Sequence, residues 1–258
     1  MPIAELNGVR IHYTLDGPGD APTLVLSNSL GTSLHMWDKV LPALAARYRV
    51  LRYDTRGHGQ SSVPAPPYSV AQLAGDVLGL RDYLRIDRVH FCGLSLGGLT
   101  GIWLAIHAPS RFHRFIFANT SARIGNPSMW DERIAAIRAS GMVPLAQATM
   151  RRWFTDGFMQ RHPEELDLPR AMMEQTSPDG YIGCCLSMRK DDLRGEVARI
   201  HAPCLVITGE SDIATPPAEG RFLHQNLPQS HYVALKAAHL SAWELPREFE
   251  SAVLNFLT

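Results

Sequence analysis

The sequence predicts an α/β fold: a mostly parallel sheet with helices on both faces and an inserted helical cap. Three observations carry this. Short apolar runs rich in β-branched and aromatic residues recur at 23–27, 50–53, 89–91, 115–117, 205–208 and 232–235. Stretches of helical period separate them, and strands alternating with helices imply parallel pairing with both faces covered. The rhythm lapses between about 125 and 195, a tract rich in Trp, Met, Arg and Pro with helical segments but no strand-like run. That tract reads as a cap, residues 125–195, inserted between core segments 1–124 and 196–258.

Taken in order, residues 5 to 15 alternate around Asn7-Gly8, with Ile3 and Leu6 before and Val9, Ile11 and Tyr13 after. Asn-Gly favours a tight hairpin turn. Thr23–Ser27 is a short buried strand. Trp37 to Tyr48 reads as one helix, with Trp37, Val40, Leu41 and Leu44 on one face. Val50–Tyr53 is a strand. Ser69-Val-Ala-Gln72 forms a capping box opening a helix, with Leu73, Val77, Leu80 and Leu84 at helical spacing. The connector Val63-Pro-Ala-Pro-Pro67 before it is stiff. Strands follow at Phe115–Phe117, Leu205–Thr208 and Tyr232–Leu235. A closing helix spans about Pro246 to Leu257, with Phe249, Val253 and Phe256 facing inward.

The totals narrow the possibilities. A chain of 258 residues, 45% hydrophobic, suits one substantial core with an insertion. With 25 basic and 25 acidic residues the formal charge is zero, so no general affinity for nucleic acid or anionic membrane is expected. No apolar run has transmembrane length, and Met1–Glu5 lacks the basic start and apolar core of a secretory signal. Cys92, Cys184, Cys185 and Cys204 show no Cys-x-x-Cys spacing, which fits reduced thiols in a cytoplasm.

The chemistry centres on Gly93-Leu94-Ser95-Leu96-Gly97, between the run at Val89–Phe91 and an apolar helical run from Leu99 to His107. Gly-x-Ser-x-Gly in a strand–turn–helix context describes a nucleophile elbow. Ser95 sits at the apex, and the Leu96 N–H points from the helix start toward a developing oxyanion. A serine nucleophile needs a base, and the base an orienting carboxylate. Asp212 follows the strand at 205–208 and His239 follows the strand at 232–235, so the order Ser95, Asp212, His239 is that of an α/β-hydrolase. Glu210 competes with Asp212 for the acid role. The second oxyanion donor falls in Ser27-Asn28-Ser29-Leu30-Gly31-Thr32, as the N–H of Leu30, with the Ser29 hydroxyl as a further contact. Asp54, Arg56 and His58 read as structural parts of a tight turn. No His, Cys or carboxylate group shows metal-ligand spacing, so no metal is expected.

These motifs resemble the α/β-hydrolase superfamily over essentially the whole chain, which implies an eight-stranded sheet. Ser27–Thr32, Tyr53–Gly59, Cys92–Leu99, Asn119-Thr-Ser-Ala-Arg-Ile-Gly125 and Arg152-Trp-Phe-Thr155 are similar to the 3-oxoadipate enol-lactonases. That family commonly has Met after the nucleophile; Leu96 departs from it, which bears on pocket shape rather than on the N–H. The resemblance implies hydrolysis of 3-oxoadipate enol-lactone to 3-oxoadipate, a step of the β-ketoadipate pathway of aromatic catabolism, with no metal or organic cofactor. The implied substrate carries a carboxylate. Arg152 or Arg151 in the cap would attract it beside Trp153, with Arg123 as a further candidate. A carboxylesterase, a C–C bond hydrolase or a cofactor-free haloperoxidase-like protein would share the triad. Haloalkane dehalogenation would want Asp at position 95, and a non-catalytic sensor usually lacks a triad member that this chain retains.

Overall fold

The computed structural model describes residues 2–6 and 8–258. Eight strands form one sheet: β1 (Ile3–Leu6), β2 (Val9–Asp16), β3 (Thr23–Ser27), β4 (Arg49–Tyr53), β5 (Val89–Leu94), β6 (Phe112–Ala118), β7 (Cys204–Gly209) and β8 (Ser230–Leu235). Their spatial order is β1-β2-β4-β3-β5-β6-β7-β8. β1 and β2 pair antiparallel, as do β2 and β4, and every later pair is parallel. Leu6 opposes Val9 across the first turn, where Gly8 takes φ 84°. The Asn7 half of the expected turn lies outside the described residues.

The central strands are apolar along their whole length because helices cover both faces. Every residue of β3, β5 and β7 is buried. The helices are α1 (Leu41–Ala45), α2 (Val70–Tyr83), α3 (Leu96–His107), α4 (Pro127–Ser140), α5 (Met142–Trp153), α6 (Asp156–Arg161), α7 (Asp167–Gln175), α8 (Pro178–Lys190), α9 (Pro217–Asn226), α10 (Ser241–Glu244) and α11 (Pro246–Leu257). Helices α4 to α8 all fall between β6 and β7, the tract where no strand was expected. Among the described residues, no helix is long and apolar enough to cross a membrane.

The Ser69 capping box forms as expected: the Ser69 hydroxyl accepts from Gln72 N–H, and the Gln72 side chain accepts from Ser69 N–H. The expected helix from Trp37 to Tyr48 does not form. A 3₁₀ turn (Leu34–Trp37) and the short α1 stand there, separated by a turn. Pro42 explains the break: it has no N–H to continue a helix begun upstream, but it suits the first turn of a new one. The apolar spacing still works, because Trp37, Val40 and Leu44 are fully buried and Trp37 meets Phe249 of α11 with ring centroids 6.1 Å apart. In α11, Phe249 and Val253 are buried as expected, while Phe256 is half-buried and Leu257 points inward instead.

Candidate active site

Ser95 stands at the junction of β5 and α3 with φ 58° and ψ −115°, a conformation that costs a non-glycine residue energy and persists only where neighbours enforce it. The glycines two residues away make room. A Cβ on Gly93 would lie 2.7 Å from the Gly98 nitrogen, and one on Gly97 would lie 2.9 Å from the Ser27 hydroxyl oxygen. Ser95 N–H donates to Ala118 O at 3.0 Å, tying the turn to β6.

Asp212 lies in the turn after β7 and is almost wholly buried. Its Oδ1 accepts from the N–H groups of Ala214 (2.8 Å) and Thr215 (3.0 Å). Its Oδ2 accepts from the Thr215 hydroxyl (2.8 Å) and the Asn119 amide (3.0 Å), and lies 2.8 Å from Nδ1 of His239. Burial pushes the Asp212 carboxyl up, but the facing His239 and these donors outweigh it and hold the group below the usual carboxylate range. Glu210, the competing acid, is exposed. With Nδ1 engaged by Asp212, Nε2 is the nitrogen that His239 leaves for Ser95. The two residues line one cavity, and among the described residues no hydrogen bond joins them. Hydrogen bonds of this kind often tighten only with substrate present.

The loop after β3 lies against the same turn. Gly97 N–H donates to Asn28 O at 3.0 Å, while the Asn28 side chain bonds Tyr53 O (2.7 Å) and Trp37 Nε1 (2.8 Å). On either side of Leu30 the amides are committed: Ser29 N–H to the Met36 sulfur and Gly31 N–H to Nε2 of His58. The Leu30 and Leu96 amides have no protein acceptor among the described residues. His58 is held as the neutral tautomer, its Nδ1–H donating to Arg56 O at 3.2 Å, and burial keeps its pKa below the ordinary value. Arg56 forms a buried, two-pronged pair with Asp76, and Asp54 accepts from Leu34 N–H and faces His12 at 2.7 Å. Asp54 and His58 therefore brace the loop, and Arg56 ties their turn to α2.

The cavity measures about 250 Å³. Ser29, Leu30, Ser95 and His239 line it from the sheet side, and Arg152 and Trp153 from α5. Arg151 points to solvent, and Arg123 pairs with Asp192 at 3.5 Å outside this cavity. Residues missed in the sequence close the wall: Trp130 and Arg133 of α4, Thr149 of α5 and Tyr181 of α8. The Arg133 guanidinium lies 5.2 Å from the Trp130 ring centroid, and burial pushes the Tyr181 hydroxyl up. Trp130 and Arg133 are one helical turn apart after Pro127, a signal available in principle. Tyr181 has no local signal. Neither Arg133 nor Arg152 has a carboxylate partner among the described residues.

The wall is joined to the His239 loop. Leu240 N–H donates to Trp153 O at 3.0 Å, and the Glu244 carboxylate accepts from Ala238 N–H at 2.9 Å and from the Thr155 hydroxyl. Against the expectation of no ligand spacing, His162, Glu164 and Glu165 bring ligand atoms within 4.8 Å of one another. They lie on the surface away from the cavity lining, and Glu165 is committed to Lys39. Cys184 and Cys185 are buried free thiols, the latter pushed up by burial to about 12.

Comparison with known proteins identifies the fold and family. A family model described as the alpha/beta hydrolase fold matches residues 22–246. 3-oxoadipate enol-lactonase 2 of Acinetobacter baylyi is 44% identical over 245 residues, covering 95% of this chain and 92% of that one. 3-oxoadipate enol-lactonase 1 of the same organism is 37% identical over 255 residues, covering 99% and 96%. The crystal structure of the enol-lactonase from Burkholderia xenovorans LB400 superposes with a TM-score of 0.98 at 47% identity, covering 99% of both chains.

Proposed function

The chain belongs to the alpha/beta hydrolase family, and within it to the 3-oxoadipate enol-lactonases, and from that premise we propose that it hydrolyses 3-oxoadipate enol-lactone to 3-oxoadipate by a Ser95–His239–Asp212 triad. The observation that carries the residue assignment is the 2.8 Å contact from His239 to a buried, ionised Asp212, on a cavity shared with Ser95.

Ser95 Oγ attacks the lactone carbonyl while His239 Nε2 takes its proton. Asp212 holds the imidazole in the right tautomer and stabilises its charged form. The N–H groups of Leu30 and Leu96 bind the oxyanion, each contributing on the order of 3 kcal/mol. Collapse breaks the ring C–O bond, and His239 returns the proton to the leaving enol oxygen. The enol stays tethered through the acyl chain and becomes the ketone. Water, deprotonated by His239, then cleaves the Ser95 ester to give the second carboxylate.

Residues 125–195 act as the cap over a core of 1–124 and 196–258. Its Arg152 attracts the substrate carboxylate, with Arg133 as a second cation, Trp153 packs on the ring, and Ser29 adds a polar contact. The ligand is a small anionic lactone, and the four free cysteines fit a cytoplasmic site of action. An ultraviolet assay of lactone loss beside p-nitrophenyl acetate tests the reading. The expected result is kcat/KM for the lactone of about 10⁴ M⁻¹s⁻¹ or more, with the neutral ester far slower. Ester cleavage with no action on the lactone would leave the triad and overturn the substrate.

A further inference from the structure

Asn119 and Thr120 follow β6 directly and line no part of the cavity, yet both are buried polar side chains aimed at the triad. Their position follows from the topology. β6 lies between β5, which ends at the Ser95 turn, and β7, which ends at the Asp212 turn. The backbone extends this ladder past the strand ends, with Ser95 N–H on Ala118 O (3.0 Å) and Asn119 N–H on Ile207 O (2.8 Å). Asn119 then turns the chain out of the sheet at φ 43°, a region that Asn tolerates better than most residues.

We propose that Asn119 and Thr120 are positioning residues for the reaction, a bracket that spaces nucleophile, acid and base; this rests on the triad reading above. Thr120 Oγ1 donates to the carbonyl oxygen of Ser95 at 2.7 Å, so it holds the strained residue by its backbone. Gly98 makes this possible: a Cβ there would lie 2.5 Å from that of Thr120. Asn119 spends its whole amide on the other two members. One Nδ2 hydrogen goes to Asp212 Oδ2 (3.0 Å) and the other to Ala238 O (3.1 Å), the residue before His239. Its Oδ1 accepts from the Ser241 hydroxyl at 2.5 Å, two residues after His239. The His239 loop is therefore gripped on both sides by the side chain that also orients the Asp212 carboxylate. In a buried network of this kind, a displacement of about 1 Å costs on the order of 100-fold in rate.

The test compares Thr120→Val, Thr120→Ser, Asn119→Ala and Ser241→Ala with the parent protein, on both the lactone and p-nitrophenyl acetate. Thr120→Val keeps the shape and removes the donor; about tenfold loss in kcat with KM within about twofold is expected. Thr120→Ser keeps the donor and should restore kcat to within about threefold of the parent. Asn119→Ala should lose about 10- to 100-fold in kcat, and Ser241→Ala less. If Asn119→Ala fails to fold, the Thr120 pair and Ser241→Ala decide the matter. Parental kcat in Thr120→Val, a Thr120→Ser as slow as Thr120→Val, or losses confined to KM would overturn the bracket. A Ser95→Ala variant that still turns over would overturn the triad beneath it. An inactive Ser95→Ala beside unaffected Thr120→Val and Asn119→Ala would overturn the bracket alone.

Discussion

At the carboxyl end of the sheet, Asp212 accepts hydrogen bonds from Ala214, Thr215 and Asn119 and faces His239, and Asp212, Thr215, Asn119 and His239 are buried. Across the cavity, Arg133 and Arg152 hang from cap helices with no carboxylate partner among the described residues. In the proposed function the two walls divide the labour of one site. On the sheet side, fixed dipoles are set before substrate arrives, so little reorganisation is needed as charge develops. On the cap side, the proposal gives these cations the substrate carboxylate, so their effect would fall on binding and selectivity. Changes on the sheet side should therefore act on kcat, and changes on the cap side on KM.

The largest effect that could break this division is on the nucleophile. Ser95→Ala should lower kcat on the order of a millionfold, by analogy with serine hydrolases. Asp212→Asn keeps the shape but loses the charge that stabilises the imidazolium, and should cost about 10⁴-fold in kcat. Steady-state kinetics on the lactone check both. A loss carried by KM in either variant would contradict the assignment of the sheet side to rate.

A smaller effect sharpens the comparison from the far end of the sheet. His90 lies near the amino end of β5, against Tyr48 and His113. Burial, then the charges of His113, Arg114 and Arg88, lower its pKa to about 4. The unfolded chain takes up a proton near the ordinary value of about 6.5, while the fold stays neutral until about 4. The unfolded state thus binds more protons in that window, and stability is lost as pH falls through it. Thermal melts should show Tm decreasing from pH 7 to pH 4.5, and His90→Phe should flatten the decline while kcat and KM at neutral pH stay as they are. An unchanged slope in the variant would remove His90 from the explanation.

The sheet side was also the side legible from sequence. Its strands are short continuous apolar runs, so Ser95 and His239 are candidates from their places after a strand, while Asp212 is preferred to Glu210 only through the chain order of the three residues. Local rules sufficed there because each residue is delivered by the strand just before it. The helix expected at Trp37–Tyr48 failed because apolar period outweighed Pro42 in the reading, although Pro42 decides where a helix can start. The cap wall was legible only in part. Arg151 and Arg152 are equivalent in composition, but successive residues on a helix point about 100° apart, and only packing determines which one faces the cavity. Tyr181 and Arg133 come from helices far apart in sequence, so no spacing joins them. Asn119 looked like part of a family pattern; its grip on Asp212 and Ala238 depends on β6 lying between β5 and β7, a property of the sheet order rather than of the motif.

The division between the two walls meets its most direct test in the double variant Arg133→Ala/Arg152→Ala, assayed on the anionic lactone and on p-nitrophenyl acetate in the same buffer. Each lost charge-assisted hydrogen bond corresponds to about 10- to 100-fold. The expected result is a rise in KM of at least that size for the lactone, with kcat and the ester kinetics within about threefold of the parent protein. Equal losses on both substrates, or a loss in kcat alone, would contradict it.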